Sequence, residues 1–350
     1  MLPYLALSVF PIILAFFFGQ ADTNEKQKKV YFIICAVVLI AFLGLRDKGI
    51  GSTDTVNYYN RMREAIYTPQ IKKFLDSYDT VEKGYAIFVW LLARVFKNPQ
   101  WLIVVSATIY VTCLFVFIYN ESENVSMSVF LYITLGIMMF HMQGLRQSIA
   151  MSICLIAYMQ AKRHKFVPFI LLVILAMQFH TSAFVFFVIY PMCAIKVTAA
   201  KTILVGVISC LMFVFATKII SIAGMLFERS YSDTVQSGGV VTVLVYLIVL
   251  ALSVTCNTHI NSNNEKYPVF YMLILGLSFF LMRYFGIRMA ERVHYYFAYS
   301  QIILLPNTVN CFKDEKIKVL LNTAIVIMAI ALYAYRLRGS AFIPYIFFFN

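Results

Sequence analysis

The residues in this chain that are best suited to chemistry stand where long apolar runs are interrupted. Arg146 and Gln147 break the run from Val125 to Ala161, in the segment FHMQGLRQSIAMS, and His180 separates two apolar segments in LAMQFHTSAFVFF. A charge within an apolar run is costly, which makes Arg146 a functional-site candidate. A histidine such as His180 can serve as an acid, a base or a hydrogen-bond donor to phosphate. The alternative for His180 is a hydrogen-bonded turn residue.

A cluster of charges occupies the segment LMRYFGIRMAERVHYYF, between two apolar runs. It contains Arg283, Arg288, Glu291 and Arg292. Arginines at this spacing suit a diphosphate, because the planar guanidinium fork donates two parallel hydrogen bonds to an anion and does not lose its charge. Glu291 can hold one arginine while the others bind the ligand. Simple Arg–Glu pairing is the alternative interpretation.

Two further polar segments lie earlier in the chain. LRDKGIGSTDTVNYYN supplies Arg46, Asp54 and Tyr58, and YDTVEKGYAIF supplies Glu82 and Gly84. Asp54 and Tyr58 share a face if their segment is helical, and Gly84 allows close backbone approach. The first segment is not a P-loop, since it lacks the GKS or GKT ending and no strand precedes it. Structural alternatives exist for each charge: Arg46 can snorkel to the interface, Asp54 can cap a helix, and Glu82 can interact with a helix N-terminus.

The composition places these residues in a membrane protein. Hydrophobic residues make up 61% of the chain and charged residues only 13%, about half the charged share of a typical soluble domain. We expect a single integral membrane domain over residues 1–350, beginning with a retained helix, since the N-terminus lacks a signal-peptide pattern. The seven cysteines show no metal-ligand spacing and are expected to pack as small apolar residues. Runs long enough to cross a bilayer predict about twelve transmembrane helices, at 2–19, 30–45, 101–119, 125–143, 147–161, 166–179, 181–195, 202–217, 240–256, 268–283, 294–309 and 319–335.

The connectors between these spans differ in charge. Short lysine-rich connectors, such as KRHK at 162–165, mark the cytoplasmic side, since basic residues in short loops set the orientation. The opposite side carries eleven of the twelve arginines, a long outer loop at 46–100 after the second helix, and a second outer loop at 217–239. Residues 85–96 are too short to span and predict a re-entrant or interfacial helix. All the candidate site residues fall on the arginine-rich side, which predicts one site there for an anionic ligand.

The polar segments, taken in order, resemble those of a known family. R…GIGSTDTVNYY, EKGY, LRQSIA, FHTSA and ERVHYYF are similar to the EpsG family of Wzy-type polysaccharide polymerases, from about Arg46 to Leu305. The resemblance implies an all-α polytopic bundle, GT-C-like, in the bacterial cytoplasmic membrane with its site facing the periplasm or outside. It implies polymerisation of polyprenyl-diphosphate-linked repeat units for O-antigen (lipopolysaccharide), capsule or exopolysaccharide, without a nucleotide sugar. The family pattern extends to these residues: Arg46, Asp54, Tyr58, Glu82, Arg146, Gln147, His180 and Arg292.

We infer the role of each candidate from its chemistry. Arginines stabilise the leaving diphosphate, a carboxylate or histidine deprotonates the acceptor hydroxyl, and polar side chains hold the substrate. The diphosphate-binding candidates are Arg46, Arg146, Arg283, Arg288 and Arg292. The candidate bases, in order of preference, are His180, Glu82 and Asp54, and the substrate-binding candidates are Tyr58, Gln147 and Glu291. We expect no metal and no cofactor. The expected partners are the lipid-linked glycans, membrane lipids and a chain-length regulator, with no nucleic acid.

Two other classes of protein remain open on the sequence. One is a flippase or transporter for lipid-linked oligosaccharides. The other is a different outer-leaflet transferase, such as an O-antigen ligase or an acyltransferase. A flippase is expected to carry internal repeats and charges along a path through the membrane. Here the charges gather on one side and no repeat is visible, which favours an enzyme.

Overall fold

The computed structural model describes residues 1–18, 25–78, 82–194, 239–255, 268–285 and 288–349, together with 201, 204–208, 211, 215 and 218. For residues 255, 285, 288 and 289 it describes the backbone alone. The predicted span at 202–217 therefore lies largely outside the described residues, and so does the predicted outer loop at 217–239.

The described part of the chain is built from α-helices and two 3₁₀ segments, at 181–188 and 282–285, with no β-strand in it. We number its α-helices in chain order. They are α1 (Leu2–Phe17), α2 (Glu25–Gly44), α3 (Thr53–Tyr67), α4 (Ile71–Ser77), α5 (Lys83–Val95), α6 (Gln100–Glu121), α7 (Val125–Thr134), α8 (Ile137–Gln143), α9 (Leu145–Lys162), α10 (Phe166–Phe179), α11 (Ile189–Ala194), α12 (Val240–Thr255), α13 (Pro268–Leu281), α14 (Arg288–Asn310) and α15 (Glu315–Leu337). The all-α prediction is confirmed.

The apolar helices fit a protein that crosses a bilayer several times. Within the described residues, α2, α6 and α15 are each long and apolar enough to span alone. The bent pair α7 and α8 is either a fourth, broken span or a re-entrant loop. Shorter apolar segments lie at α1, α10, 181–194, α12 and 268–284. The count of twelve spans and the GT-C-like arrangement stay predictions.

The predicted span at 125–143 is broken in the middle. α7 and α8 meet at an angle of 53°, and Gly136 between them has a φ of +96°, a conformation that residues with a Cβ rarely adopt. A second break follows at Gly144, so that the short helix α8 is offset from both neighbours. The breaks bring the end of α8 and the start of α9 to the same place as the outer segments described next.

The long loop at 46–100 is itself a helical layer. α3, α4 and α5 pack around their own apolar cluster, which includes Met62, Phe74, Tyr85 and Val89. The helix predicted at 85–96 is present as α5. Its Arg94 donates to the carbonyl of Ala65 in the last turn of α3, which also accepts from the backbone N–H of Thr68 at 3.2 Å. We call α3–α5 the outer layer.

The C-terminal tail returns to the start of this outer layer. The backbone N–H of Asp47 donates to the carbonyl of Ile346 at 2.8 Å, and that of Phe348 donates to Leu45 at 2.9 Å. The Tyr345 hydroxyl donates to the carbonyl of Phe42 at 2.6 Å. These bonds fix the exit of α2, and hence the entry to the outer layer, against the tail that follows α15.

Candidate functional site

A cavity of about 570 Å³ opens where the outer layer meets the breaks around α8 and α9. Four further groups of residues complete its wall: the end of α8, the start of α9, the residue after α10, and the first turns of α14. The lining residues are Asp54, Asn57, Tyr58, Arg61, Tyr78, Phe140, Gln143, Gly144, Arg146, Gln147, His180, Glu291, Arg292 and Tyr295. We call it the first cavity. Seven of the predicted site residues therefore come together from distant parts of the sequence.

Arg146 and Glu82 form the ionic centre beside this cavity. Arg146 Nη1 lies 3.2 Å from Glu82 Oε2, and the side chains are 24% and 0% exposed respectively. Glu82 Oε1 also accepts hydrogen bonds from the backbone N–H and the hydroxyl of Thr181, each at 3.2 Å. The buried carboxylate thus joins the start of α5 to the start of α9 and to the residue after His180. Because Glu82 is engaged by a cation and two donors, and does not line the cavity, its geometry suits a positioning residue and not the predicted base.

Tyrosine rings surround the guanidinium of Arg146. Its central carbon lies 5.8 Å from the ring centroid of Tyr58 and 5.9 Å from that of Tyr85, within the range of cation–π contacts. Burial raises the pKa of Tyr78 to about 12, although the charge of Arg146 opposes this rise. Tyr78 is therefore a neutral phenol in the cavity wall, able to donate a hydrogen bond. The rings leave Arg146 little freedom to turn away from the cavity.

His180 lies directly after α10, in extended backbone, and its ring is nearly buried. Its Nδ1 is 2.6 Å from Ser182 Oγ, which is in turn 3.1 Å from the hydroxyl of Tyr296 on α14. This chain of polar groups orients the imidazole while His180 still lines the first cavity. Such an oriented histidine meets the geometric requirement for a general base.

The mouth of the cavity carries exposed charges. Asp54 and Arg292 are both exposed, and Asp54 lies in the first turn of α3. Arg61, one further turn along α3 from Tyr58, pairs with Glu64 at 2.8 Å and also lines the cavity. Arg61 was not among the predicted site residues, although its spacing of seven residues from Asp54 predicts the same helix face.

Gln147 and Glu291 connect the elements around the cavity. Gln147 Nε2 donates to the backbone carbonyl of Arg292 at 2.6 Å, which ties the start of α9 to α14. Glu291 Oε1 pairs with Arg283 Nη1 at 2.9 Å, so the pairing considered as an alternative is present. Both Gln147 and Glu291 line the first cavity, and their predicted contact with substrate stays a prediction.

The side chain of Arg46 does not reach the cavity, contrary to its prediction as a diphosphate-binding residue. It is fully buried, and its guanidinium donates to the carbonyls of Leu43 and Met142, the latter 2.7 Å from Nη2. The hydroxyl of Thr55 donates to the same Met142 oxygen at 3.0 Å. Arg46 therefore joins the end of α2 to the end of α8, and we assign it a structural role in place of diphosphate binding.

Three further arginines, Arg283, Arg288 and Arg336, do not line the first cavity in the described part of the structure. Arg283 lies outside the first cavity and lines a neighbouring one, and the side chain of Arg288 lies outside the described residues. Arg336 is half-buried in the last turn of α15 and lines the same neighbouring cavity. No three His, Cys, Asp or Glu side chains are grouped for metal binding among the described residues, and the metal-independent reaction stays a prediction.

The family comparison agrees with the resemblance carried by the polar segments. The model of the EpsG family matches residues 29–347, nearly the whole chain. Comparison with curated proteins and with solved structures gave no match. The matched range includes all the residues that line the first cavity and the neighbouring one. This chain is a member of the EpsG family.

Proposed function

We propose that this protein polymerises polyprenyl-diphosphate-linked oligosaccharide repeat units at the outer face of the cytoplasmic membrane. One observation carries the proposal: the wall of the first cavity includes three arginines, Arg61, Arg146 and Arg292, and an oriented histidine. Membership of the EpsG family supports a role in polysaccharide polymerisation. A lipid-linked donor presents the two features that such a wall suits, a diphosphate and a sugar bearing hydroxyl groups.

The diphosphate is the leaving group of the reaction. A hydroxyl oxygen of the acceptor sugar attacks the anomeric carbon of the donor glycan, and the bond from that carbon to the diphosphate oxygen breaks. Negative charge grows on the departing polyprenyl diphosphate, and preorganised cations that stabilise such charge are often the largest catalytic contribution. Arg146 and Arg292 supply the positive charge that stabilises the diphosphate, and Arg61 adds to it at the mouth of the cavity.

The proton of the acceptor hydroxyl goes to His180. Because Nδ1 faces Ser182, the imidazole would take the proton on Nε2. Asp54, exposed at the mouth, is the second candidate base. Glu82 has a different role, since its contacts hold Arg146 and Thr181 in place beside the histidine.

The reaction is tested by deleting the gene in the source bacterium and separating the surface glycan on a gel. A polymerase mutant retains single repeat units on the carrier and loses the ladder of longer chains. A mutant in a flippase or a ligase instead shows no attached units, and an acyltransferase mutant keeps its ladder. An unchanged ladder would refute the proposed function. Complementation with the gene for the His180→Gln variant should leave single repeat units, while the wild-type gene restores the ladder.

A further inference from the structure

A second cavity of about 260 Å³ adjoins the first. Phe140 and Tyr295 line both cavities, and their rings are stacked with centroids 3.9 Å apart and planes 20° from parallel. Gln143 and Glu291 also line both. A thin wall of two stacked rings and two polar side chains therefore lies between the two spaces.

Arg336 gives this second cavity a positive charge. Its Nη2 donates to Thr242 Oγ1 at 3.1 Å, and its Nη1 donates to the backbone carbonyl of Leu135. Both partners are neutral, and no carboxylate among the described residues lies within ion-pair distance of this half-buried side chain. A shielded cation without a counter-charge is costly, so this place favours an anion.

Arg283 adds a second guanidinium to the same space. It pairs with Glu291, and its side chain is only 10% exposed. Among the described residues that line this cavity, the two arginines and Glu291 leave one positive charge in excess. Two guanidinium groups beside one cavity suit the recognition of a phosphate group.

The backbone makes room for both guanidinium groups. A Cβ added to Gly136 would lie 2.8 Å from Arg336 Nη1, and one added to Gly239 would lie 2.9 Å from Arg283 Nη1. Both glycines have positive φ, +96° and +92°. Any side chain at either position would therefore displace an arginine.

From this geometry, and resting on the proposed function, we propose that the second cavity binds the diphosphate of the acceptor lipid. Polymerisation joins two lipid-linked molecules, and each carries a diphosphate. The donor diphosphate leaves from the carbon that the acceptor hydroxyl attacks, so it lies in the cavity that holds the base, the first cavity with His180 and Arg146. The second cavity, which neither His180 nor Asp54 lines, is left for the acceptor.

The surroundings of Arg336 suit a phosphate that carries an apolar tail. Thr242 lies in the first turn of α12 and Arg336 in the last turn of α15, so their hydrogen bond joins two helix ends. Beside them, Val241 and Leu244 on α12 and Tyr335 on α15 are exposed, Tyr335 at 72%. A phosphate at Arg336 would place its polyprenyl chain along these apolar faces.

The proposal is tested by counting bound lipid on the purified full chain with native mass spectrometry, using undecaprenyl diphosphate as the probe. We expect two lipids on the wild type and one on Arg336→Met. Arg338→Met is the matched control, because Arg338 is exposed and does not line either cavity; it should bind two. One lipid on the wild type, or two on Arg336→Met, would overturn the proposal.

Arg336 also bonds the end of α7, so Arg336→Met can lower stability. Thr242→Val keeps the charge and that bond but removes the hydroxyl that orients the guanidinium, and it should weaken the second lipid-binding event about tenfold with an unchanged Tm.

A second binding experiment uses inorganic diphosphate in place of the lipid. If it occupies the second site while the lipid binds only once, the occupant is a free phosphate compound and the lipid assignment is wrong. If the deletion strain loses its ladder but the wild type binds a single lipid, this inference alone fails; an unchanged ladder refutes the proposed function itself.

Discussion

At the residue scale, Arg146 is a cation of the first cavity that is held by a fully buried carboxylate. Glu82 pairs with it, and two tyrosine rings lie against it. A lysine at this position would keep the charge but cannot bond Glu82 and a diphosphate oxygen with one planar group. We predict that Arg146→Lys lowers polymer synthesis at least about a hundredfold, comparable to the loss of one preorganised donor.

The measurement is the glycan ladder in a deletion strain complemented with each variant at equal protein level. Arg63→Lys is the control, because Arg63 lies on the exposed side of α3 and does not line the cavity. It should restore the full ladder. Wild-type chain length from Arg146→Lys would show that a point charge is sufficient there.

Variants of Glu82 and His180 distinguish a residue that positions Arg146 from a residue that accepts the proton. The variant Glu82→Gln keeps a side chain that can accept from Thr181 but loses the charge opposite Arg146, so the guanidinium is no longer fixed. We predict a rate about ten- to a hundredfold lower, the range expected for a small misplacement, and a pH–rate profile of unchanged shape. His180→Gln, which makes too little polymer for a ladder, should instead retain a low residual rate that no longer falls at acid pH as it does when a base is protonated.

Purified enzyme and a synthetic lipid-linked repeat unit allow both profiles to be measured. Glu315→Gln, which removes an exposed ion pair with Lys318, controls for loss of a carboxylate and should have no effect beyond the small contribution of surface pairs. If Glu82→Gln loses the acid limb of the profile, Glu82 is the base and the assignment of His180 is wrong.

At the element scale, the outer layer is positioned by a close approach between α5 and α10. A Cβ added to Gly84 would lie 2.4 Å from Gln178 Cβ and 3.0 Å from its carbonyl oxygen. The predicted need for close backbone approach at Gly84 is thus confirmed. We predict that Gly84→Ala pushes α5 outward, separates Glu82 from Thr181 and Arg146, and lowers the free energy of unfolding by about 1–3 kcal/mol, as overpacking does.

Gly206 is the control for this substitution. It lies in a helical segment, and a Cβ there would meet no described atom within 4 Å. Gly206→Ala should be neutral or raise stability, since alanine is favoured over glycine in a helix by up to about 1 kcal/mol. The Tm of each purified variant in detergent measures the difference. Equal Tm values for the two would show that α5 and α10 adjust without cost.

The helices themselves were largely predictable, because apolar runs set their length. The run at 166–179 coincides with α10, and Glu315–Leu337 extends the predicted span at 319–335 by only a few residues at each end. The break in 125–143 was not predicted, since a glycine in an apolar run does not reveal its φ. Arg46 was misassigned for a similar reason: its partner Met142 lies 96 residues away in the sequence, and no local pattern indicates such a contact.

At the scale of the whole molecule, the polar chemistry lies at one end and a structural ionic cluster at the other. Glu121 at the end of α6 accepts from Lys162 at 2.8 Å and from the hydroxyl of Tyr158 at 3.1 Å. Its backbone carbonyl accepts from Asn307 at 2.8 Å. This cluster ties α6, α9 and α14 together on the predicted cytoplasmic side. The convergence of the site was predictable from topology, whereas the division into two cavities depends on packing around Phe140 and Tyr295.

The placement of the candidate site and the Glu121 cluster at opposite ends predicts which positions a membrane-impermeant reagent can reach. Asn57 is exposed at the first cavity, and Lys316 is exposed at the start of α15, whose 23 residues separate it from Arg336 by roughly 30 Å. We predict that Asn57→Cys is labelled by an impermeant maleimide in intact spheroplasts, while Lys316→Cys is labelled only after the membrane is opened. The parent chain, labelled in parallel, corrects for its seven native cysteines. Labelling of Lys316→Cys alone in intact spheroplasts would place the first cavity in the cytoplasm, where a donor presented at the outer leaflet could not reach His180.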